Sequence, residues 1–577
     1  MNNVDNYWTR RKAGVSRRQL LGAAGAFGAV ALVGAGCGDD DDDDDSAPES
    51  QDTPSQRTPE SQVSTPSAKQ PKRGGSLTMR VAADPPNWSV FTASALTVPF
   101  ANLAYNKLIR LKAGAGVDPS EITLEPDLAQ ELPELPDPTT LVFTLRPGVK
   151  FQNVAPVNGR LMTAEDVKLS IDAYRSDTRS AMKADNATIE SVEVVNETTV
   201  RVKLKRPMVP LLALSAGHYG WRIIPKEMLE GDQLMTKAIG TGPYIVDSYE
   251  ASSRGVFRRN PDYFKPDKPY FDKVTLAIIP ELASAISAFQ TGQIDSLGAV
   301  DCTNAEQLRS QKKDAQFQQL LSAEPGGYIA MDTTKPPFSD VRVRRAISMA
   351  FNRDAEIAAL ECGGGKPDQL IPTGAYGKAL PIDKLGDASK YWNFDPAAAK
   401  ALLAEAGFAD GFETSMVYTP QYGAAYQSSA ERAIQDFAAV GIKVNPKAIQ
   451  YNEWIGGLYR PPFGFDGILW GPRRYYTDVD PYLWYWLHPD RTQGISNQSR
   501  VNDQSIVPLL EKQRETFDEP ARLEIIGQIQ KIVAEQQYYV GRTTGNSYSF
   551  WSPWIEGWGT TLGYDLPQVE SSWDGRL

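Results

Sequence analysis

The densest run of groups able to hold a small molecule is the stretch Leu469 to Trp486, which carries Arg473 and Arg474 side by side, four tyrosines, three tryptophans and two aspartates. A guanidinium grips a carboxylate or phosphate with parallel hydrogen bonds and repels an ammonium. Trp470, Tyr475, Tyr476 and Trp484 can stack on sugar rings or pack against peptide side chains. Core packing is the ordinary fate of large aromatics and is expected of Trp484 and Trp486. Catalytic chemistry finds little material. The two histidines, His218 and His488, lack the spacing of a zinc site, and no GxSxG elbow is present. Gly363-Gly364-Gly365-Lys366 lacks the context of a phosphate loop. No catalytic residue, metal or cofactor is assigned. Paired carboxylates for glycoside hydrolysis are recognised by geometry, so a surface hydrolase is the rival enzymatic reading.

These groups must be positioned by more than one core, because 577 residues exceed the roughly 250–300 at which a single core stops growing. Hydrophobic residues make up 41% and aromatics 10%, the composition of a globular protein. Sixty basic against 71 acidic residues give a net charge of -11, which repels a phosphate backbone and argues against nucleic acid as a partner.

The N-terminus reads as an export signal. Arg17-Arg18 precedes the apolar run Leu20 to Val33, too short to span a bilayer but suited to a signal peptide. The paired arginines resemble a twin-arginine signal, with Leu20 where phenylalanine is most common. Val33-Gly34-Ala35-Gly36-Cys37 resembles a lipobox, so residues 1–36 would be removed and Cys37 acylated, anchoring the chain on the extracytoplasmic face of the cell membrane. Seven aspartates, Asp39 to Asp45, open a polar stretch read as a self-repelling tether over residues 37–73. Cys302 and Cys362 remain. Export permits a bond between them, but the reading leans to free thiols, because 60 residues of separation set no geometry and Cys362 sits in a glycine-rich turn.

From Gly74 onward the pattern is mixed α/β. Ser76 to Val81 alternates as a strand, Thr163-Ala164-Glu165-Asp166 opens a helix, and Asp395-Pro396 opens another that Gly407 ends. Eight segments then carry a resemblance: Glu125 to Ala129, Phe143 to Phe151, Leu161 to Val167, Gly240 to Tyr244, Arg259 to Phe264, Gln290 to Asp295, Pro336 to Ala346 and Phe394 to Ala397. In that order they resemble the extracytoplasmic solute-binding proteins of ABC importers, family 5, the peptide/nickel/oligopeptide type.

The resemblance implies a three-lobed periplasmic-binding-protein-like α/β fold of class II, the venus-flytrap type, with a discontinuous first domain. Lobe I would comprise 74–116, 239–325 and 539–577, a smaller inserted lobe 117–238, and the second large lobe 326–538. It implies a monomer that captures peptides or a related small solute in an interlobe cleft and delivers it to a permease with separate ATPase subunits. An oligosaccharide or anionic metabolite is the alternative ligand. Ligand-contacting positions would be Trp88, Thr97 and Val98 on one side, and Tyr328, Trp470, Gly471, Arg473, Arg474 and Tyr475 on the other. The sequence departs from the family where an aspartate holds a peptide amine, since Arg473 and Arg474 stand there. Either the ligand is anionic, sugar-like or a peptide held otherwise, or the alignment slips and Asp478 or Asp480 serves instead, or the arginines pair with acidic neighbours on the surface.

Overall fold

The computed structural model describes residues 69–577 apart from 93, 120, 181, 322–326, 375–377, 423, 459–462, 473–474, 491–495 and 560–567. The export signal, Cys37 and nearly all of the acidic tether lie outside the described residues. Among the described residues no helix is long and apolar enough to cross a membrane.

Three sheets organise the chain. The strand Ser76–Val81 forms as its alternation predicts, with Leu77, Met79 and Val81 turned inward. It is the middle strand of a seven-stranded sheet, parallel to Lys273–Ile278 on one side and to Ser296–Val300 on the other. Tyr244–Glu250, Arg254–Arg259, Gln316–Leu321 and Asn546–Trp551 complete it. One sheet is therefore assembled from three separated stretches of sequence. Helices Leu282–Gln290 and Cys302–Gln311 cover it through Ala285, Phe289, Ala305 and Leu308.

A four-stranded antiparallel sheet, in the order Glu134–Asp137, Thr140–Thr144, Thr199–Leu204, Ile189–Asn196, lies inside the inserted stretch. Helix Ala164–Ser176 packs on it with Val167, Ile171 and Tyr174 buried, the i, i+4, i+7 spacing of one helical face. Its start is fixed as expected, the Asp166 carboxylate accepting the Thr163 N–H at 3.0 Å. Arg160 then clamps Asp166 and Glu227, each at 2.6 Å.

The third sheet runs in the order Ile442–Ala448, Phe412–Tyr418, Ile468–Gly471, Tyr328–Met331, Tyr539–Gly541. Its inner strands are buried on both faces. Tyr328, Ala330 and Leu469 join a core with Trp484, Trp486 and Ile526, and Ile329, Trp470 and Val540 join another with Phe351 and Ile347. Helix Pro396–Glu405 opens on Asp395, whose carboxylate accepts from Ala398 N at 2.9 Å, and Gly407 follows it at φ +90°. Tyr539–Gly541 pairs with Tyr328–Met331, which places that strand with the five-stranded sheet.

The chain passes between the two large sheets twice, from Leu321 to Tyr328 and from Gly541 to Asn546. Beside the second crossing Thr543–Thr544 pairs with Lys366–Pro367, and Asn546 Nδ2 donates to Gly364 O at 3.0 Å. Here the cysteine reading is corrected. Cys302 and Cys362 form a disulfide with their Cα atoms 6.0 Å apart. The crossing brings the start of helix Cys302–Gln311 beside the turn that ends helix Arg353–Leu360, a proximity created by tertiary structure and invisible in the spacing. The protein should therefore show no free thiol at Cys302 or Cys362 under non-reducing conditions. Replacing both with serine should lower unfolding stability by about 2–4 kcal/mol in denaturant titration.

Candidate ligand-binding site

The five-stranded sheet ends at the edge from which both crossings leave. There Tyr328 pairs with Gly471 on one side and Gly541 on the other. A Cβ on Gly471 would lie 2.4 Å from Tyr328 Cζ, so glycine is what allows the ring to lie against the strand. That ring meets Trp486 edge-on at 4.3 Å and Tyr539 at 5.5 Å. Trp470 is fully buried, edge-on to Phe351 at 5.8 Å, and its carbonyl accepts the Tyr426 hydroxyl. Of the candidates named from sequence, Tyr328, Trp470 and Gly471 are thus brought together.

Beyond Gly471 the chain enters the stretch that holds the two arginines. Arg473 and Arg474 lie outside the described residues. Asp478 and Asp480, the alternative amine anchors, are both buried and both paired. Arg522 reaches Asp478 at 3.0 and 2.6 Å, and Arg514 reaches Asp480 at 2.8 and 2.7 Å. Burial alone would raise the Asp478 carboxyl, yet the Arg522 guanidinium overrides it and holds the group at about 2. The Arg514 guanidinium also lies 3.6 Å over the Trp484 ring. A carboxylate committed in this way is not offered to an ammonium, which removes the reading in which either aspartate holds a peptide amine.

Tyr475 lies elsewhere. With Asp185, His218, Tyr219, Thr477 and Tyr485 it lines a cavity of about 50 Å³ where the inserted stretch meets the helix Asp480–Leu487. Thr477 Oγ1 donates to Ala213 O at 2.8 Å, and the Tyr485 hydroxyl donates to Asp185. Burial pushes the Asp185 carboxyl up to about 6, against the pull of Arg514. His218 stacks beside Tyr475 with ring centres 5.3 Å apart, whereas His488 packs on Trp484 at 4.5 Å. Among the described residues no group of three or more His, Cys, Asp or Glu side chains is arranged to hold a metal ion.

Trp88, Thr97 and Val98 form a third, separate group, all buried in the lobe of the seven-stranded sheet. The Trp88 ring is wedged edge-on between Phe100 at 5.4 Å and Tyr249 at 5.2 Å, and its backbone N–H donates to Met235 O at 3.1 Å. Thr97 Oγ1 donates to Asn87 O at 3.0 Å. These side chains are engaged in packing. Sequence reasoning passed over Asp185, Tyr426 and Arg542. None lies in a motif, and only the proximity of His218 to an aromatic run could have hinted at the cavity.

The chain matches the profile described as "Bacterial extracellular solute-binding proteins, family 5 Middle" over residues 123–494, well over half its length. It belongs to this family. Among family 5 relatives it is 27% identical over 493 residues to Heme-binding protein A of Haemophilus influenzae, covering 80% of this chain and 85% of that one. It is 29% identical over 454 residues to Di/tripeptide-binding protein 2 of Pseudomonas aeruginosa, covering 73% and 81%. Two solved structures are similar. DppA from Helicobacter pylori in complex with the peptide STSA has a TM-score of 0.73 at 22% identity, covering 87% of this chain and 99% of that one. MoaA from A. tumefacien R10 in complex with mannopinic acid has a TM-score of 0.71 at 26% identity, covering 86% and 99%. The fold is thus the three-lobed, class II venus-flytrap fold with a discontinuous first domain, as the eight segments implied.

Two measurements check this electrostatic account. Arg522→Met leaves Asp478 buried without its cation and should destabilise the protein by about 3–5 kcal/mol in denaturant titration. The Asp185 carboxyl titrates higher in the folded protein than in the unfolded chain, so folding is favoured by its protonated form. Its contribution to stability should fall as pH rises from the ordinary carboxylate range, about 4, through about 6, and then level off. Asp185→Asn should lose this contribution, so between those pH values the melting temperature of the variant should gain relative to that of the wild type.

Proposed function

We propose that this chain is the receptor of an ABC importer, tethered through acylated Cys37, which captures a peptide or related carboxylate-bearing solute between its two large lobes. The solute then passes to a membrane permease driven by separate ATPase subunits. The lobes are drawn from 74–116, 239–325 and 542–577, from 117–238, and from 326–541, the last boundary following the pairing of Tyr539–Gly541.

The observation that carries this reading is mechanical. Among the described residues the two large sheets are linked by two chain crossings and by the Cys302–Cys362 disulfide, and Tyr328, Trp470 and Gly471 stand at the sheet end from which the crossings leave. Lobes joined in this way rotate about the connection, and a ligand that touches both favours the closed arrangement. The proteins of similar structure are described with a peptide and with mannopinic acid, and these ligands share a carboxylate. The commitment of Asp478 and Asp480 to internal arginines supports recognition that centres on the acidic end of the solute instead of on an amine. Affinity in the micromolar range, about -8 kcal/mol, suffices for capture and still permits release.

Denaturing extraction of the purified protein followed by mass spectrometry of the released small molecule tests the ligand class. An acidic solute, peptide or sugar acid, is expected, and a neutral oligosaccharide would contradict the reading. Anchoring has its own test. Cys37→Ser should release the chain from the membrane fraction, and a variant that stays membrane-bound would show that Cys37 is not the anchor.

A further inference from the structure

Arg542 follows the strand Tyr539–Gly541 directly and so stands at the sheet edge from which the chain crosses to the other large lobe. It is only 2% exposed. Its guanidinium carbon lies 4.0 Å over the Trp470 ring and 5.3 Å from the centre of the Tyr426 ring, so two aromatic rings contact the group. One end is fixed by the protein, Nη2 donating to Ser429 Oγ at 2.6 Å and to Glu356 Oε1 at 3.2 Å. The rest is not. Among the described residues Nε and Nη1, which carry three of the five donor hydrogens of a guanidinium, find no acceptor.

Two glycines border the open donor. A Cβ on Gly327 would come within 2.7 Å of Arg542 Nη1 and 2.2 Å of Gly471 O, and Gly327 sits at φ +119°, where side chains are strained. Gly327, the last residue before the strand Tyr328–Met331, thus packs so closely against Nη1 and Gly471 O that only a residue without a Cβ fits there. A buried cation with unfilled donors is rare in a folded protein unless it serves a partner. Held by aromatic stacking and by Ser429 and Glu356, this one is set in place before any ligand arrives, which lowers the entropic cost of binding.

We infer that Arg542 is the anchor for the carboxylate of the bound solute, with Nη1 donating to it across the Gly327 and Gly471 backbone. The assignment rests on the reading above that the solute is acidic. It places the specificity determinant at the hinge edge, on a residue outside the Arg473 and Arg474 pair. It also couples binding to closure, because the anchored group sits on the connection about which the lobes turn.

The test is calorimetric titration of the full exported chain with three probes: the dipeptide Met-Leu, its C-terminal amide, and mannopinic acid. Wild-type protein should bind at least one acid, and Met-Leu more tightly than its amide if the dipeptide is the acid that binds. Arg542→Met should weaken acid binding about 30-fold or more while leaving amide binding nearly unchanged, so that any preference for the acid disappears. Arg542→Lys keeps the charge and should retain part of the acid affinity, which keeps the test decisive if the methionine variant fails to fold. Acid affinity as strong in both variants as in wild type, or an equal loss for acid and amide, would overturn the assignment. Failure of both acids to bind folded wild-type protein would instead overturn the acidic-solute reading, and this assignment with it.

Discussion

Two carboxylates two residues apart, each sunk in the protein and each held by its own arginine, set the geometry on which the ligand-facing part of this molecule depends. Asp478 with Arg522 and Asp480 with Arg514 tie the segment after the central strand to helices Val507–Glu515 and Glu519–Gln536. Arg514 extends the tie. Its backbone carbonyl accepts the Val209 N–H at 2.7 Å, and its guanidinium stands 3.9 Å from Asp185, both in the inserted stretch. Charges buried this deeply are retained only when their partners are exact in geometry, since either partner left alone would be strongly destabilising. The helix Asp480–Leu487, buried along its whole length, is in this way held at one angle beneath the sheet edge.

From that fixed floor the rest follows. Trp486 supports the Tyr328 ring, Tyr328 lies on Gly471, and Gly471 ends the strand whose Trp470 carries the Arg542 guanidinium. This end of the sheet is thus built from aromatic side chains and glycine backbone, while the aspartates that could have competed for a cation are paired inside. On the other side of the hinge the disulfide Cys302–Cys362 and the Asn546 to Gly364 hydrogen bond brace the crossing.

Much of this frame was legible in the residues. The alternation at Ser76 to Val81, the threonine and acidic start at Thr163 to Asp166, and the Asp395-Pro396 opening each encode a local preference that tertiary structure preserved. The eight ordered segments carried the family and with it the fold. What could not be read were contacts between distant stretches. Cys302 and Cys362 meet only because a crossing strand brings a helix start to a turn. Asp478 and Asp480 were read as alternative amine anchors, and nothing in the sequence pairs them with Arg522 and Arg514 more than 30 residues on. Arg542 sits in Gly541-Arg542-Thr543, a setting with no motif, and its position near Trp470 depends on both their strands pairing with the distant strand Tyr328–Met331. Trp88 was read for its family position, whereas its ring is committed to packing between Phe100 and Tyr249.

The central claim is that the molecule works by closing two lobes over a solute that it leaves chemically intact. Small-angle X-ray scattering of the exported chain, emptied of ligand and then saturated with the solute recovered from it, tests this most directly when the same sample is afterwards analysed by mass spectrometry. The account predicts a smaller radius of gyration on saturation and recovery of the solute unchanged. A solute that returns converted to product, or saturation with no change in scattering, would contradict it.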